Sequence, residues 1–358
     1  MFSVSRSFYL MSVCVSPPLS LPISQEDVPN IALLGSGGGE RAAVGMLGSL
    51  HQLAQDNLLG SLLYMCGVSG TTWCMSSLYS DPDWSLNKRC DEVIKKLKGP
   101  TVGLKKAVDW LKHVWFMCMD TRRLSDDAHR NSTNPYPIYS AIELNRNKQH
   151  CTEGDSVWFE MTPHESGFSG LGAFVPTSCF RSQFEDGIMT EKRKEMDMVL
   201  LQGVCGSAIA DRQMDTAYVG KKIWHVLFEG KLQCIALVSL QEILAATTEF
   251  NSELIDLTLD SRDAALKMNS PYPPILRTSR KVDLIISLDF SKEDPFETVF
   301  SAKQYADELK LHFPPVKESV REEKDHPQDC YVFEGRCPEE PTIMHMPLFN
   351  LRNCKGLW

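Results

Sequence analysis

A serine near the start of the chain lies in a setting that suits nucleophilic catalysis. Ser69 stands between glycines in the stretch 67–71 (GVSGT), after an apolar run and before a helix-compatible segment. This strand-to-helix turn is the layout of a nucleophile elbow, in which glycines allow a sharp turn that exposes the serine hydroxyl. A serine at a helix start can also be a simple N-cap, and Ser69 alone does not decide between the two.

A glycine loop lies one predicted helix upstream of this serine. The stretch 35–39 (GSGGG) follows the apolar run 31–34. Backbone N–H groups at a helix start favour negative charge, so the loop suits either a nucleotide phosphate or the oxyanion of acyl transfer. Both nucleotide fingerprints fail, because Glu40 and Arg41 stand where they require glycine or Gly-Lys. The loop and Ser69 together predict a serine acyl hydrolase.

The elements that must position these residues can be predicted from the apolar pattern. The first 80 residues indicate strand, glycine loop, helix, strand, tight turn and helix, a βαβα order that implies a parallel sheet with helices packed on it. We therefore expect an α/β fold. Further along, the pattern predicts helical regions at 91–119, 221–249 and 301–311, a loop-rich region at 130–190, and strands at 282–290, 330–333 and 342–348.

A serine nucleophile needs a base, and residue types alone leave two choices. The chain has 9 histidines, none in a recognisable motif, and a Ser-His-Asp esterase would use His312 or His345. A carboxylate is the other choice. Asp263 lies just upstream of the predicted strand 282–290, and its pKa would have to be raised by burial for it to act near neutral pH.

Composition narrows the class of partner. The 358 residues are 43% hydrophobic with a net charge of -9, which indicates a globular chain and argues against a nucleic-acid binder. The 12 cysteines lack metal-ligand spacing and predict reduced thiols without a metal site. Residues 1–28 are interpreted as a disordered leader. Lysines and aromatic residues within 94–116 form a candidate membrane-docking element, or equally a solvated helix with its aromatic side chains in the core.

Three motifs together resemble the catalytic domain of the cytosolic phospholipase A2 family, in its gamma-type form without a C2 domain. They lie at 35–42 (GSGGGERA), 67–73 (GVSGTTW) and 282–291 (VDLIISLDFS), and the resemblance runs from about Val28 to Cys354. It implies a three-layer α/β/α fold of the lysophospholipase and patatin-like (FabD-like) type, with cap insertions, over 29–358. It also implies calcium-independent, cofactor-free hydrolysis of the sn-2 ester of glycerophospholipids, with lysophospholipase activity through the same acyl-enzyme. The enzyme would be cytosolic and act at a phospholipid membrane surface.

The resemblance assigns roles residue by residue. It implies that Ser69 is the nucleophile, Asp263 the base, and Gly37 and Gly38 the oxyanion hole. It also implies that Arg41 binds the substrate phosphate, a task for which a planar guanidinium is suited. A surface salt bridge is the alternative role for Arg41.

The chain departs from the family pattern in three places. The base motif, usually Asp-Gly-Gly or Asp-Ala-Gly, is here the stretch 263–265 (DAA). About 60 residues stand where the family has a longer segment before Asp263, and the chain stops just past Cys354, which suggests truncation. These departures make a catalytically weakened, lipid-binding homologue the main alternative to an active enzyme.

Overall fold

The first four elements follow the predicted order. The computed structural model describes residues 28–97, 122–129, 133–144, 156–185, 187–206, 261–263, 268–292 and 294–354. They begin with β1 (Ile31–Gly35), α1 (Gly39–Gln55), β2 (Leu62–Gly67) and α2 (Gly70–Tyr79). Every residue of β1 is buried, as expected of a central parallel strand covered on both faces. The predicted βαβα order is therefore confirmed.

The later elements complete the sheet and its covering helices. They are α3 (Leu86–Leu97), β3 (Tyr136–Leu144), β4 (Ser156–Met161), β5 (Glu165–Phe168), β6 (Ala173–Pro176), β7 (Gln183–Glu185), β8 (Ile188–Glu191), α4 (Met198–Gly206), β9 (Ser261–Asp263), α5 (Tyr272–Ile275), β10 (Leu284–Asp289), α6 (Glu297–Leu309), β11 (Tyr331–Phe333), β12 (Thr342–Pro347) and α7 (Leu351–Cys354). Short 3-10 helices lie at Leu59–Ser61, Leu124–His129, Thr177–Cys179 and Glu318–Glu323.

The main sheet is parallel at its centre and antiparallel at its sides. Its strand order is β11-β12-β10-β1-β2-β3-β4-β5-β6. The five central strands, from β12 to β3, are parallel, so their carboxyl ends share one edge. The flanking strands β11 and β4 to β6 are antiparallel to their neighbours, and β7 with β8 forms a separate hairpin.

Strand β9 takes an unusual place beside β3. Ala141 of β3 pairs with Phe159 of β4 on one side and with Asp263 of β9 on the other. Two residues earlier, Tyr139 of β3 pairs with Gly67 of β2. Because β4 occupies one side of β3, β9 must lie on the side of β2, where it continues the line of that strand beyond Gly67.

Apolar side chains form a layer on each face of the sheet. Alternate residues of β1 point to opposite faces, with Ile31 and Leu33 in one cluster and Ala32 and Leu34 in the other. Residues of α1, α2 and α4 complete the first cluster, and residues of α5 and α6 complete the second. The structure therefore has the three α/β/α layers that were predicted.

Some predictions from the sequence need correction. The region 130–190 was expected to be loop-rich, but it holds strands β3 to β8. Of the predicted helical region 91–119, the described part up to Leu97 is helical and belongs to α3. Most of the candidate docking element at 94–116, the leader up to residue 27, and the region 221–249 lie outside the described residues. Within the part of the chain that the structure describes, no helix is long and apolar enough to span a bilayer.

Candidate active site

Ser69 lies at a strained turn between β2 and α2. Its backbone has φ 51° and ψ -131°, and α2 begins at the next residue, Gly70. An N-cap serine adopts extended backbone angles and accepts a hydrogen bond through its side chain, whereas Ser69 has a positive φ and its side chain caps no N–H group. The structure therefore favours the nucleophile elbow over the N-cap.

Backbone hydrogen bonds hold Ser69 in this conformation, which costs about 1–3 kcal/mol for a residue with a side chain. The Ser69 N–H donates to the carbonyl of Cys205 in α4 (2.8 Å). The Ser69 carbonyl accepts from the Thr72 N–H (2.9 Å) and from the Thr72 hydroxyl (2.5 Å). Both backbone groups are thus occupied, while the half-buried Ser69 hydroxyl has no hydrogen-bond partner among the described residues.

The two unbonded backbone amides of the glycine loop are not the two that were predicted from the sequence. The Gly37 N–H donates to the Asn269 carbonyl (2.9 Å), so it is not available to an oxyanion. Gly38 has φ 144° and Gly39 has φ 58°, values that favour glycine. Their amides lie at the start of α1, where the helix offers no internal acceptor. The sequence predicted Gly37 and Gly38 as the oxyanion hole; among the described residues the amides of Gly38 and Gly39, rather than that of Gly37, lack a backbone acceptor.

The serine turn and the glycine loop are in direct contact. Gly70, which follows the serine, packs against the backbone of Gly39 so closely that a Cβ at position 70 would overlap with the Gly39 carbonyl. Both turns lie at the carboxyl edge of the parallel strands, since β1 and β2 pair in register up to Gly35 and Gly67. The hydroxyl of Ser69 and the free amides thus belong to one surface.

The backbone of Asp263 lies at the same edge. Its partner on β3, Ala141, is two residues beyond the partner of Gly67, which places Asp263 about 7 Å further along the line of β2. Helix α4, whose Cys205 carbonyl holds Ser69, also contacts β9. The structure brings the backbone of Asp263 next to the serine turn, and the Asp263 side chain lies outside what it describes.

Arg41 leans from the first turn of α1 over the glycine loop. Its Nε donates to the Phe290 carbonyl (2.8 Å), and its guanidinium carbon lies 5.7 Å from the centre of the Phe349 ring. A Cβ on Gly38 would be 3.1 Å from a terminal nitrogen of Arg41. Arg41 forms no ion pair with any carboxylate of the described residues, so the salt-bridge alternative has no support, and its terminal nitrogens lie beside a free amide.

The two histidines considered as bases lie elsewhere. His312 is exposed after α6. His345 is buried in β12, where its Nε2 donates to the Pro295 carbonyl (2.7 Å) and its Nδ1 faces the Ser287 hydroxyl (3.3 Å). Burial lowers the pKa of His345 to about 4. Because three strand spacings, about 14 Å, separate β12 from β2, His345 is too far from the serine turn to act as its base.

One buried carboxylate near the loop was missed by the sequence analysis. Asp289 ends β10 and accepts a hydrogen bond from the Ser291 hydroxyl (2.6 Å), which in turn accepts one from the Asn269 side chain (2.5 Å). Burial raises the pKa of Asp289 to about 6, against the opposing effects of Ser291, Ser36 and Arg41. Asp289 stands at the end of an apolar strand, at the sheet edge that carries the site. That position is the signal by which the sequence analysis could have found it.

Comparisons with known proteins identify relatives over nearly the whole chain. Residues 122–215 match the model of a family described as lysophospholipase catalytic domain. Human cytosolic phospholipase A2 gamma is 28% identical over 451 aligned positions, covering 94% of this chain and 82% of the relative. Mouse cytosolic phospholipase A2 zeta is 27% identical and covers 93% of this chain and 50% of the relative.

The resemblance to the cytosolic phospholipase A2 family is confirmed. The solved structure of human GIVD cytosolic phospholipase A2 matches the fold with a TM-score of 0.70, at 24% identity, over 92% of this chain and 52% of that one. The same cytosolic phospholipase A2 has been solved with a methyl gamma-linolenyl fluorophosphonate inhibitor, with a TM-score of 0.64. This chain therefore spans most of a gamma-type relative but about half of the zeta-type and GIVD proteins.

Proposed function

We propose that the chain is a phospholipase A2 that hydrolyses the sn-2 acyl ester of glycerophospholipids through a Ser69–Asp263 dyad. The observation that carries this proposal is the backbone contact between Gly70 and Gly39, which joins a nucleophile elbow to a loop with two free amides. The backbone of Asp263, on β9 and paired with β3 at the same sheet edge, supports its assignment as the carboxylate base. The names of the relatives support the same reaction class.

The reaction would proceed through an acyl-serine intermediate. Asp263 takes the proton of the Ser69 hydroxyl as its oxygen attacks the ester carbonyl carbon, which forms a tetrahedral intermediate. That intermediate collapses, the bond to the glycerol oxygen breaks, and Asp263 returns the proton to the leaving lysophospholipid. Water then attacks the acyl-serine while Asp263 takes its proton, and as the bond to the Ser69 oxygen breaks and the fatty acid leaves, Asp263 returns that proton to Ser69. To act as a base near neutral pH, Asp263 needs a pKa above that of an ordinary carboxylate. Burial of Asp263 against the bound lipid would raise its pKa.

Backbone donors would stabilise the charge that develops on the carbonyl oxygen. The amides of Gly38 and Gly39 lie at the start of α1, where the helix dipole also favours negative charge. A single donor of this type contributes about a hundred- to a thousandfold in rate. Because the Gly37 amide is occupied by Asn269, it is not part of this pair.

Arg41 would bind the substrate phosphate. Its Nε is fixed by the Phe290 carbonyl, which leaves the terminal nitrogens for a bidentate contact with phosphate oxygens beside Gly38. The amides would stabilise the oxyanion, and the guanidinium of Arg41 would bind the phosphate. These are the charges that a bound calcium ion would otherwise neutralise, so we propose hydrolysis that is independent of calcium.

The proposed setting is the cytosol, with peripheral association with intracellular membranes. The cytosolic names of the relatives support the compartment, and a glycerophospholipid substrate requires contact with a lipid surface. Lysophospholipids are a second substrate class, because the same acyl-serine forms from them and the matching family model is described as lysophospholipase.

Hydrolysis of phosphatidylcholine labelled on the sn-2 chain, in vesicles with excess chelator, tests the proposal. We expect release of the labelled fatty acid by the wild type and none by Ser69→Ala, with a fluorophosphonate probe labelling only the wild type. A folded wild type that is neither labelled nor active would establish the alternative of a weakened lipid-binding homologue. A requirement for added calcium would overturn the calcium-independent part.

A further inference from the structure

We propose that Thr71 and Ser36 are positioning residues that couple the nucleophile helix to the oxyanion loop, an inference that rests on the proposed acyl-transfer function. Neither side chain would touch the substrate. Each is completely buried and carries a hydroxyl whose hydrogen bonds join the two halves of the site. Their role is to fix the spacing between the serine oxygen and the loop amides.

Thr71 provides the direct link. It is the second residue of α2, two positions after Ser69, and its hydroxyl donates to the carbonyl of Ser36 at 2.5 Å. Its methyl group packs against Gly35, the last residue of β1, where a Cβ would overlap with it. Helix α2, which begins one residue after Ser69, is therefore bonded to Ser36, the second residue of the glycine loop.

Ser36 extends this link to the amides of the glycine loop through its own hydrogen bonds. Its hydroxyl oxygen accepts from the Phe290 N–H (2.6 Å), and its hydroxyl hydrogen is donated to the Gly37 carbonyl (3.2 Å). In a trans peptide the carbonyl and the following N–H point in opposite directions. The Gly37 carbonyl and the Gly38 N–H belong to one rigid peptide plane, so the Ser36 hydroxyl restrains the orientation of the Gly38 amide.

The two links act on the same distance. Thr71 ties the elbow to the glycine loop, and Ser36 contacts the carbonyl of the peptide that carries the Gly38 amide. An oxyanion donor stabilises the transition state only if it lies at hydrogen-bond distance from the developing charge. Displacements of about 1 Å in such a site can lower the rate about a hundredfold.

Substitutions at Thr71 separate this role from simple stabilisation. Thr71→Val removes the hydroxyl at nearly constant shape, and Thr71→Ser keeps it. Thr177→Val is the matched control, because Thr177 is also buried and its hydroxyl also donates to a main-chain carbonyl, that of Thr162 (2.7 Å), but it follows β6, four strands away from β2 in the sheet order. Ser36→Ala is a second test of the same relay. For each variant kcat, KM and the melting temperature would be measured on the phospholipid substrate.

We expect Thr71→Val to lower kcat by about 10- to 100-fold with KM changed less than about twofold, and Ser36→Ala to behave alike. Thr71→Ser should restore kcat to within about threefold of the wild type, and Thr177→Val should lower the melting temperature with kcat unchanged. Equal kcat values in Thr71→Val and Thr177→Val, or equal losses in Thr71→Val and Thr71→Ser, would overturn the inference. A wild type no more active than Ser69→Ala would instead refute the proposed function, and this inference would fall with it.

Discussion

Gly70 and Gly39 contact each other through their backbones, with no room for a side chain on Gly70. One glycine follows the proposed nucleophile and the other belongs to the proposed oxyanion hole. The contact joins two segments that are separated by a whole helix in the sequence. It is therefore the point at which a small change in shape should have the largest effect on catalysis.

Replacing Gly70 with alanine should abolish activity. The new methyl group would displace the Gly39 backbone and with it the amide that faces the oxyanion, so we expect kcat to fall by at least about 100-fold. Gly48→Ala is the control, because a Cβ at that exposed position in α1 meets nothing within 4 Å and should stabilise the helix by about 0.5–1 kcal/mol. Kinetics and thermal unfolding of both variants check this, and an active Gly70→Ala enzyme would contradict the proposed geometry.

Replacing Arg41 with lysine should impair phospholipid hydrolysis selectively. Lysine retains the charge but loses the Nε contact with the Phe290 carbonyl and the planar fork. We expect kcat/KM to fall about 10- to 100-fold for a phospholipid and much less for a neutral nitrophenyl ester, which has no phosphate. Parallel assays on the two substrates make the comparison, and equal losses on both would show that Arg41 is not a phosphate ligand.

The buried carboxylate of Asp289 should make stability depend on pH. Its pKa in the folded protein, about 6, exceeds the ordinary value of 3.8, so the folded state binds the proton more tightly. The stability associated with this group is therefore present below about pH 3.8 and is lost as the pH rises through about 6. Asp289→Asn removes the buried charge, and its free energy of unfolding at about pH 8 should exceed that of the wild type by an amount on the order of 2 kcal/mol.

His345 should have the opposite dependence. Its folded pKa of about 4 lies below the ordinary 6.5, so its contribution is present above about pH 6.5 and is lost as the pH falls toward 4. The two groups oppose each other over nearly the same pH range in the wild type. Denaturant unfolding across this range should therefore show a steeper loss of stability on acidification in Asp289→Asn than in the wild type. Parallel curves would mean that Asp289 does not titrate in this range.

The identity of the base gives a further prediction. Asp263→Asn should lower kcat by about a thousandfold or more, because the serine loses its proton acceptor. His345→Gln should lower the melting temperature, since it disturbs buried hydrogen bonds to Pro295 and Ser287, but the folded fraction should keep its kcat. Activity that survives in Asp263→Asn and vanishes in folded His345→Gln would favour the histidine mechanism.

Local patterns predicted the first half of the site because its geometry is local. Apolar runs that end in glycine clusters specify two adjacent parallel strands and their turns, and such strands end at one edge. The residues around β1 and β2 were therefore placed correctly from sequence. Strand β3 and the antiparallel strands β4 to β6 were missed, because proline and glycine between short strands resemble the composition of a loop.

Hydrogen bonds between distant segments could not be predicted in this way. The sequence gives no sign that the Gly37 amide is occupied by Asn269, a residue 232 positions later, and the predicted oxyanion pair therefore included Gly37. The burial of Asp289 likewise depends on Ser291, Asn269 and the glycine loop, which come together only in the folded chain.

The anchoring of α4 and β9 at one sheet edge has a consequence for insertions and deletions. Cys205 of α4 binds the Ser69 amide, and Asp263 of β9 pairs with β3, so both ends of the segment 207–260 are fixed beside the serine turn. The entropic cost of joining two fixed ends rises by only about 0.6 kcal/mol for each doubling of the length of the connecting chain. Natural selection can therefore lengthen or shorten this segment without moving the residues on either side of it.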